Sequence, residues 1–137
     1  MDKLTGMGTT MGSITSNSMR MLEKSMDFLW AKQAVHLDNI SNAETPNYRL
    51  KTVTFEKTFE SRLKAAERRG HSRAQTRRAI EEVSWQVEDD DEVTRMDQNG
   101  VNVLEQSLEA VRTAYQLQYT MQAINKDFST LGRAING

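Results

Sequence analysis

The side chains best suited to chemistry are few. His36 and His71 are the only histidines, and the chain has no cysteine, which excludes disulfides and thiolate metal sites and leaves the redox compartment undetermined. His36 falls on a helical seam, where a lone imidazole reads as a partner-facing structural residue rather than a ligand. Asp97, Asn99 and Gly100 have the residue types of a calcium loop. Placing Gly100 at the sixth position puts Arg95 first and Gln106 twelfth, where acidic ligands belong, so that chemistry fails. The run Glu88 to Glu92 is acidic throughout its core and reads as solvated charge, because a hard-ion site needs ligands folded around a point. Arg68, Arg69, Arg73, Arg77 and Arg78 lack the interleaved aromatics or motif of a nucleic-acid reader. An acidic partner, or a neighbouring copy's acidic run, suits them better. Nothing here amounts to catalytic, cofactor-binding or metal-binding residues, and the expectation is a protein that is not an enzyme and uses no cofactor.

The elements are more informative. Val103, Ser107, Ala110, Ala114, Leu117, Met121, Ile124, Phe128, Leu131 and Ile135 recur at alternating spacings of four and three, the period of a coiled-coil seam. No proline or glycine interrupts the stretch between Gly100 and Gly132, which allows a helix of about 50 Å at 1.5 Å rise per residue. Leu104, Leu108, Val111 and Tyr115 form a second apolar row, so this helix expects more than one neighbour. Near the other end Met19, Leu22, Met26, Leu29, Gln33, His36 and Ile40 repeat the period, with Trp30 and Leu37 alongside. Asn17 or Ser18 is the expected cap of that helix. Two heptad helices at opposite ends of one chain should pair. The fold class is therefore mainly α, a hairpin or coiled coil of two long terminal helices with a small irregular or β-containing insertion between them.

With 18 basic and 19 acidic residues in 137, charge is balanced and the chain suits one thin-cored domain. Residues 1–16 read as a flexible arm without the basic and apolar regions of a cleaved secretory signal, and Met7 and Met11 are alternative starts. No apolar run approaches the roughly 18 residues of a membrane span. Residues 17–49 and 102–137 make the discontinuous helical domain, and 50–101 the insertion. Within the insertion, Leu50 to Phe55 reads as extended, and Phe55, Phe59, Leu63 and Ala66 as a short helix to about Arg69, closed by Gly70. His71 to Arg78 reads as a basic loop, and Val83, Trp85 and Val87 as a strand whose only local partner is 50–55. Asn102 is the expected cap of the terminal helix, with Glu105 as its capping-box partner.

The first helix runs into Asn39-Ile40-Ser41-Asn42-Ala43-Glu44-Thr45-Pro46-Asn47-Tyr48-Arg49. The only proline blocks helix continuation, and Pro46-Asn47 is a turn in which Asn47 takes the position of positive φ. Asn39 and Asn42 are placed to bond freed carbonyls or the following loop. This stretch resembles the signature of the axial proteins of the bacterial flagellum, the rod, hook and hook-associated subunits, whose N-terminal helix runs into an Asn-rich, Thr-Pro-Gly-Tyr-like loop. Asn39, Ile40, Asn42, Ala43, Thr45, Pro46, Tyr48 and Arg49 match. Asn47 stands where that family usually has glycine, a mild departure because both residues accept the left-handed conformation. The Asp97-x-Asn99-x-Val101-Asn102 lead-in, the Tyr115 to Tyr119 region and the tail Asn125-x-x-Phe128-x-x-Leu131-x-x-Ala134-Ile135 resemble the cell-proximal rod subunits of that family. The tail favours that subunit over its neighbour of similar length, and residues 60–95 match nothing in the family.

The resemblance implies a structural subunit of the basal-body rod, exported unfolded by the flagellar type III apparatus into the periplasmic space without a cleaved signal. It implies as partners other copies of itself, the other rod subunits, the adaptor joining rod to membrane ring, and the export gate. Leu22, Met26, Leu29, Leu117, Met121, Ile124, Phe128, Leu131 and Ile135 would be the packing seam, with Ser107, Ala110 and Ala114 receiving the chain's own first helix and Met121 to Ile135 reaching neighbours. An export-gate element of the form Phe-x-x-x-apolar is matched by Phe55 with Phe59 and by Phe59 with Leu63, a spacing that is also one face of any helix. The alternative is a cytosolic helical-hairpin adaptor or regulator that grips one partner with its amphipathic faces. Such a hairpin has no need of the Asn39 to Arg49 loop.

Overall fold

The computed structural model of the chain describes residues 16–55, 61, 64, 72–90 and 101–137. Their order is α1 (Asn17–Ser41), β1 (Lys51–Thr54), α2 (Arg73–Glu81), β2 (Gln86–Asp89) and α3 (Val103–Asn136). The protein is mainly α, with its long terminal helices packed together and a two-stranded sheet between them in sequence. The 34 residues of α3 span about 51 Å, against about 38 Å for the 25 of α1. The helices run antiparallel: His36 and Asn39 near the end of α1 bond Gln106 near the start of α3, while Ser25 and Leu29 share a groove with Gln116 and Thr120. Phe128 and Ile135 fall beyond the start of α1 and are exposed.

Each helix starts on a side-chain acceptor. Ser16, one residue earlier than expected, caps α1 by accepting from the Met19 N–H at 3.1 Å. Asn102 caps α3 by accepting from the Glu105 N–H. The basic loop expected from His71 to Arg78 is instead largely helix. Ser72 accepts from the Gln75 N–H and the Gln75 side chain accepts from the Ser72 N–H, a complete capping box. The helix then buries Ile80. Lys24 of α1 donates to the carbonyls of Glu81 and Val83 at 3.2 Å each, supplying positive charge where the last carbonyls of α2 are unpaired.

The sheet is antiparallel, with Val53 opposite Val87 and Lys51 opposite Asp89. The segment 50–55 thus supplies the partner the second strand needs. That strand begins later than the alternation suggested: Val83 is buried ahead of it and Trp85 is largely exposed. One apolar cluster joins the pieces, formed by Phe28 and Leu29 of α1, Phe55 after β1, Val83 and Leu117 of α3. Within it the Phe28 and Phe55 rings stack with centroids 4.7 Å apart. The expected helix from Phe59 through Leu63 and Ala66, its close at Gly70, His71, and the Asp97 to Gly100 lead-in lie outside the described residues.

Candidate functional site

Asn39 is the centre of the loop that follows α1. It is fully buried, and its amide uses both ends. Nδ2 donates to the Lys51 carbonyl at 2.8 Å while Oδ1 accepts from the Lys51 N–H at 3.0 Å, so the side chain pairs with β1 much as another strand would. Nδ2 also donates to Gln106 Oε1 at 3.1 Å, tying the loop and β1 to α3. His36 Nδ1 lies 2.8 Å from the same oxygen. Because that oxygen only accepts, the bond requires a proton on Nδ1. His36 is therefore a structural residue held inside the hairpin.

Around this pair the loop is knitted by short-range bonds. Asn42 donates to the Asp38 carbonyl and to its carboxylate, and accepts from the Thr45 hydroxyl. Both asparagines thus play the parts expected of them, Asn42 on a freed helix carbonyl and Asn39 on the chain beyond. Asn47 has φ of 60°, the left-handed conformation its type tolerates. The turn it makes brings Tyr48 back over the helix end, where its hydroxyl reaches Asp38 Oδ2 at 3.0 Å and Asn39 Oδ1 at 3.1 Å. Lys51 Nζ completes the cluster 3.0 Å from Asp38 Oδ2. The bond from Lys51, and next that from Tyr48, hold the Asp38 carboxyl below its ordinary 3.8. Asp38 in turn raises the Lys51 ammonium above 10.5. Tyr48 is pushed up first by burial and then by Asp38. Ile40 and Ala43 are half-buried, while Thr45, Pro46, Asn47 and Arg49 face solvent.

The second feature is the way α3 distributes its residues. The face against α1 buries Gln106, Ala110, Thr113, Leu117 and Thr120, a stripe of period four and three that is mostly small or polar. Of the expected seam, Leu29 and Leu117 are buried; Leu22, Met26, Ile124 and Leu131 are half-buried; and Met121, Phe128 and Ile135 are exposed. Ser107 is half-buried and Ala110 buried, whereas Val103 and Ala114 face solvent. The second row, Leu104, Leu108, Val111 and Tyr115, is exposed throughout, and Tyr119 one turn on is exposed by 77%. Between the helices an open groove of about 590 Å³ is lined by Phe28, Leu29, Phe55, Tyr115 and Tyr119 among others. Phe55 of the suggested export element is buried in the core, and Phe59 and Leu63 lie outside the described residues.

Gln106, Asp38 and Lys51 escaped the sequence reading. Gln106 drew notice only as a failed calcium position, although it heads the four-and-three stripe of Ala110, Thr113, Leu117 and Thr120, where a buried amide needs a polar partner. The described residues bring no cluster of three or more His, Asp or Glu side chains together as a metal site, and none of their helices is long and apolar enough to cross a membrane. What the arrangement offers is a hydrogen-bonded loop and a helix whose exposed apolar row lies opposite a buried stripe of mostly small or polar residues. No family model and no curated protein matches the sequence.

Proposed function

We propose that this chain is a structural subunit of the bacterial flagellar basal-body rod, exported by the flagellar type III system and assembled by coiled-coil packing of its terminal helices. It has no enzymatic activity in this reading. The observation that carries it is the outward apolar row of α3. A private hairpin has no use for Leu104, Leu108 and Val111 on the side away from α1, whereas a subunit packed among others buries both sides. The Asn39 to Arg49 loop, whose residues carry the resemblance to axial proteins, adds support as a braced corner that fixes how the chain leaves α1. Partners in this reading are other copies, the other rod subunits, the rod-to-ring adaptor and the export gate, and the location is the periplasmic rod.

The test is a deletion strain complemented with the native chain or with Phe128→Asp. Phe128 is exposed, so the purified variant should keep its stability within about 0.5 kcal/mol. In an assembled seam the same charge would be buried without a partner, at a cost of several kcal/mol. The native chain should restore swimming and appear in purified basal bodies, and the variant should do neither. A deletion strain that swims normally, or a chain recovered only from the cytoplasm, overturns the reading in favour of a cytosolic helical-hairpin adaptor.

A further inference from the structure

A helix advances about 100° per residue, which places Leu104, Leu108, Val111, Tyr115 and Tyr119 on one row half a turn away from the Gln106 to Thr120 stripe that meets α1. Continued past Tyr119, this outer row turns polar and basic, its exposed members being Gln122, Lys126, Ser129 and Arg133. Helix α1 also has an outer row opposite its buried one. Trp30, Ala34 and Leu37 are exposed there, and towards the helix start the row carries Asp27, which is exposed, and Glu23, which is 42% exposed while it holds Arg20 at 3.0 Å.

The two outer rows are complementary in both composition and direction. Along α3 the order is apolar then basic; along α1 it is acidic then apolar. Laid antiparallel, Trp30 comes level with Tyr119, Leu37 with Val111, and Glu23 with Lys126, one turn from Asp27. In this register α1, which ends at Ser41, spans the apolar row from Leu108 to Tyr119, about 17 Å, and Leu104 comes level with the loop beyond it. Within one chain these rows cannot meet, because α1 and α3 already face each other with their opposite sides. We propose that the outer face of α3 in one copy receives the outer face of α1 in a second copy. The contact is heterologous: each copy offers both halves, so it propagates into an open array rather than closing on a dimer. It rests on the reading of the chain as an assembling subunit and names which surfaces of that subunit meet.

The chain has no cysteine, so introduced thiols report without background. The full chain carrying both Trp30→Cys and Tyr119→Cys, oxidised at high concentration, should give a ladder of disulfide-linked species. Either substitution alone should give only monomer, and a mixture of the two single variants should give dimers and nothing larger. Adding Lys126→Glu to the double variant should cut the ladder at least about tenfold, and Glu23→Lys should restore it. Dimers from Tyr119→Cys alone would show two α3 faces meeting and overturn the proposal, as would a double variant that stays monomeric. The same double variant, expressed in the deletion strain, separates the two claims. Rods that contain the chain without the Trp30 to Tyr119 bond refute this contact and leave the rod reading standing. A ladder in solution with no chain in basal bodies does the reverse.

Discussion

Replacing Asn39 by alanine tests whether one amide holds the loop, β1 and α3 together. The side chain makes four bonds: two with the Lys51 backbone, one to Gln106 and one from Tyr48. Two of the partners have other company, since Gln106 keeps His36 and Tyr48 keeps Asp38. The Lys51 N–H and carbonyl lose the bonds that face the helix. At about 1–1.5 kcal/mol for each bond lost without replacement, the expected loss is about 2–3 kcal/mol, or about 6–10 °C in a chain of this size. Asn42→Ala is the control. Asn42 lies three residues on and looks the same in sequence, but it is only half-buried and bonds Asp38 and Thr45 within its own turn. It should cost about 1 kcal/mol or less. Urea unfolding followed by circular dichroism measures both. Equal losses for the two variants, or less than about 0.5 kcal/mol for Asn39→Ala, would refute the reasoning.

Thr113 is fully buried and its hydroxyl has no hydrogen-bond partner. Thr113→Val, which keeps the shape and removes the stranded polar atom, should stabilise the chain by about 1 kcal/mol in the same assay. Asn47 holds φ of 60°, so Asn47→Gly should be near neutral while Asn47→Val loses about 1–2 kcal/mol, again read from the unfolding midpoint. Asp38 is held below 3.8 by Lys51 and Tyr48. Its contribution to stability is therefore present above that value and lost as pH falls through the lower folded value. An acid titration of Asp38→Asn should show a shallower loss of stability below about pH 4 than the native chain, and an unchanged slope would refute the assignment.

The sequence made some of this legible, and particular residues show where it stopped. The terminal helices were readable because their apolar residues keep one period over many turns, and Asn102 and Asn47 because a cap and a left-handed turn each select a narrow set of residue types. Helix α2 was missed because Arg, Gln, Ala and Thr carry no apolar period through it. Its one legible signal was Ser72 followed three residues later by Gln75, a capping box without the apolar run that usually accompanies one. On α3, hydropathy selects Met121 and Phe128 for the seam, but the side turned towards α1 carries Thr113 and Thr120 instead, and Met121 and Phe128 are exposed. Which of several stripes a helix turns inward depends on what its neighbour presents, and single-sequence periodicity has no access to that. The part played by Gln106 depends on a contact about seventy residues away in sequence.

That separation has a mechanical side. The pairing of α1 with α3 closes a connection of about 60 residues, an entropic charge on the order of 4 kcal/mol before any contact forms. On the α3 side the surface that then meets α1 is largely alanine, threonine and glutamine, with Leu117 its main apolar grip, set against Phe28 and Leu29 of α1. Pulled from the free ends of the hairpin, such a joint should open progressively, with the Asn39 and Gln106 clasp at the closed end parting last.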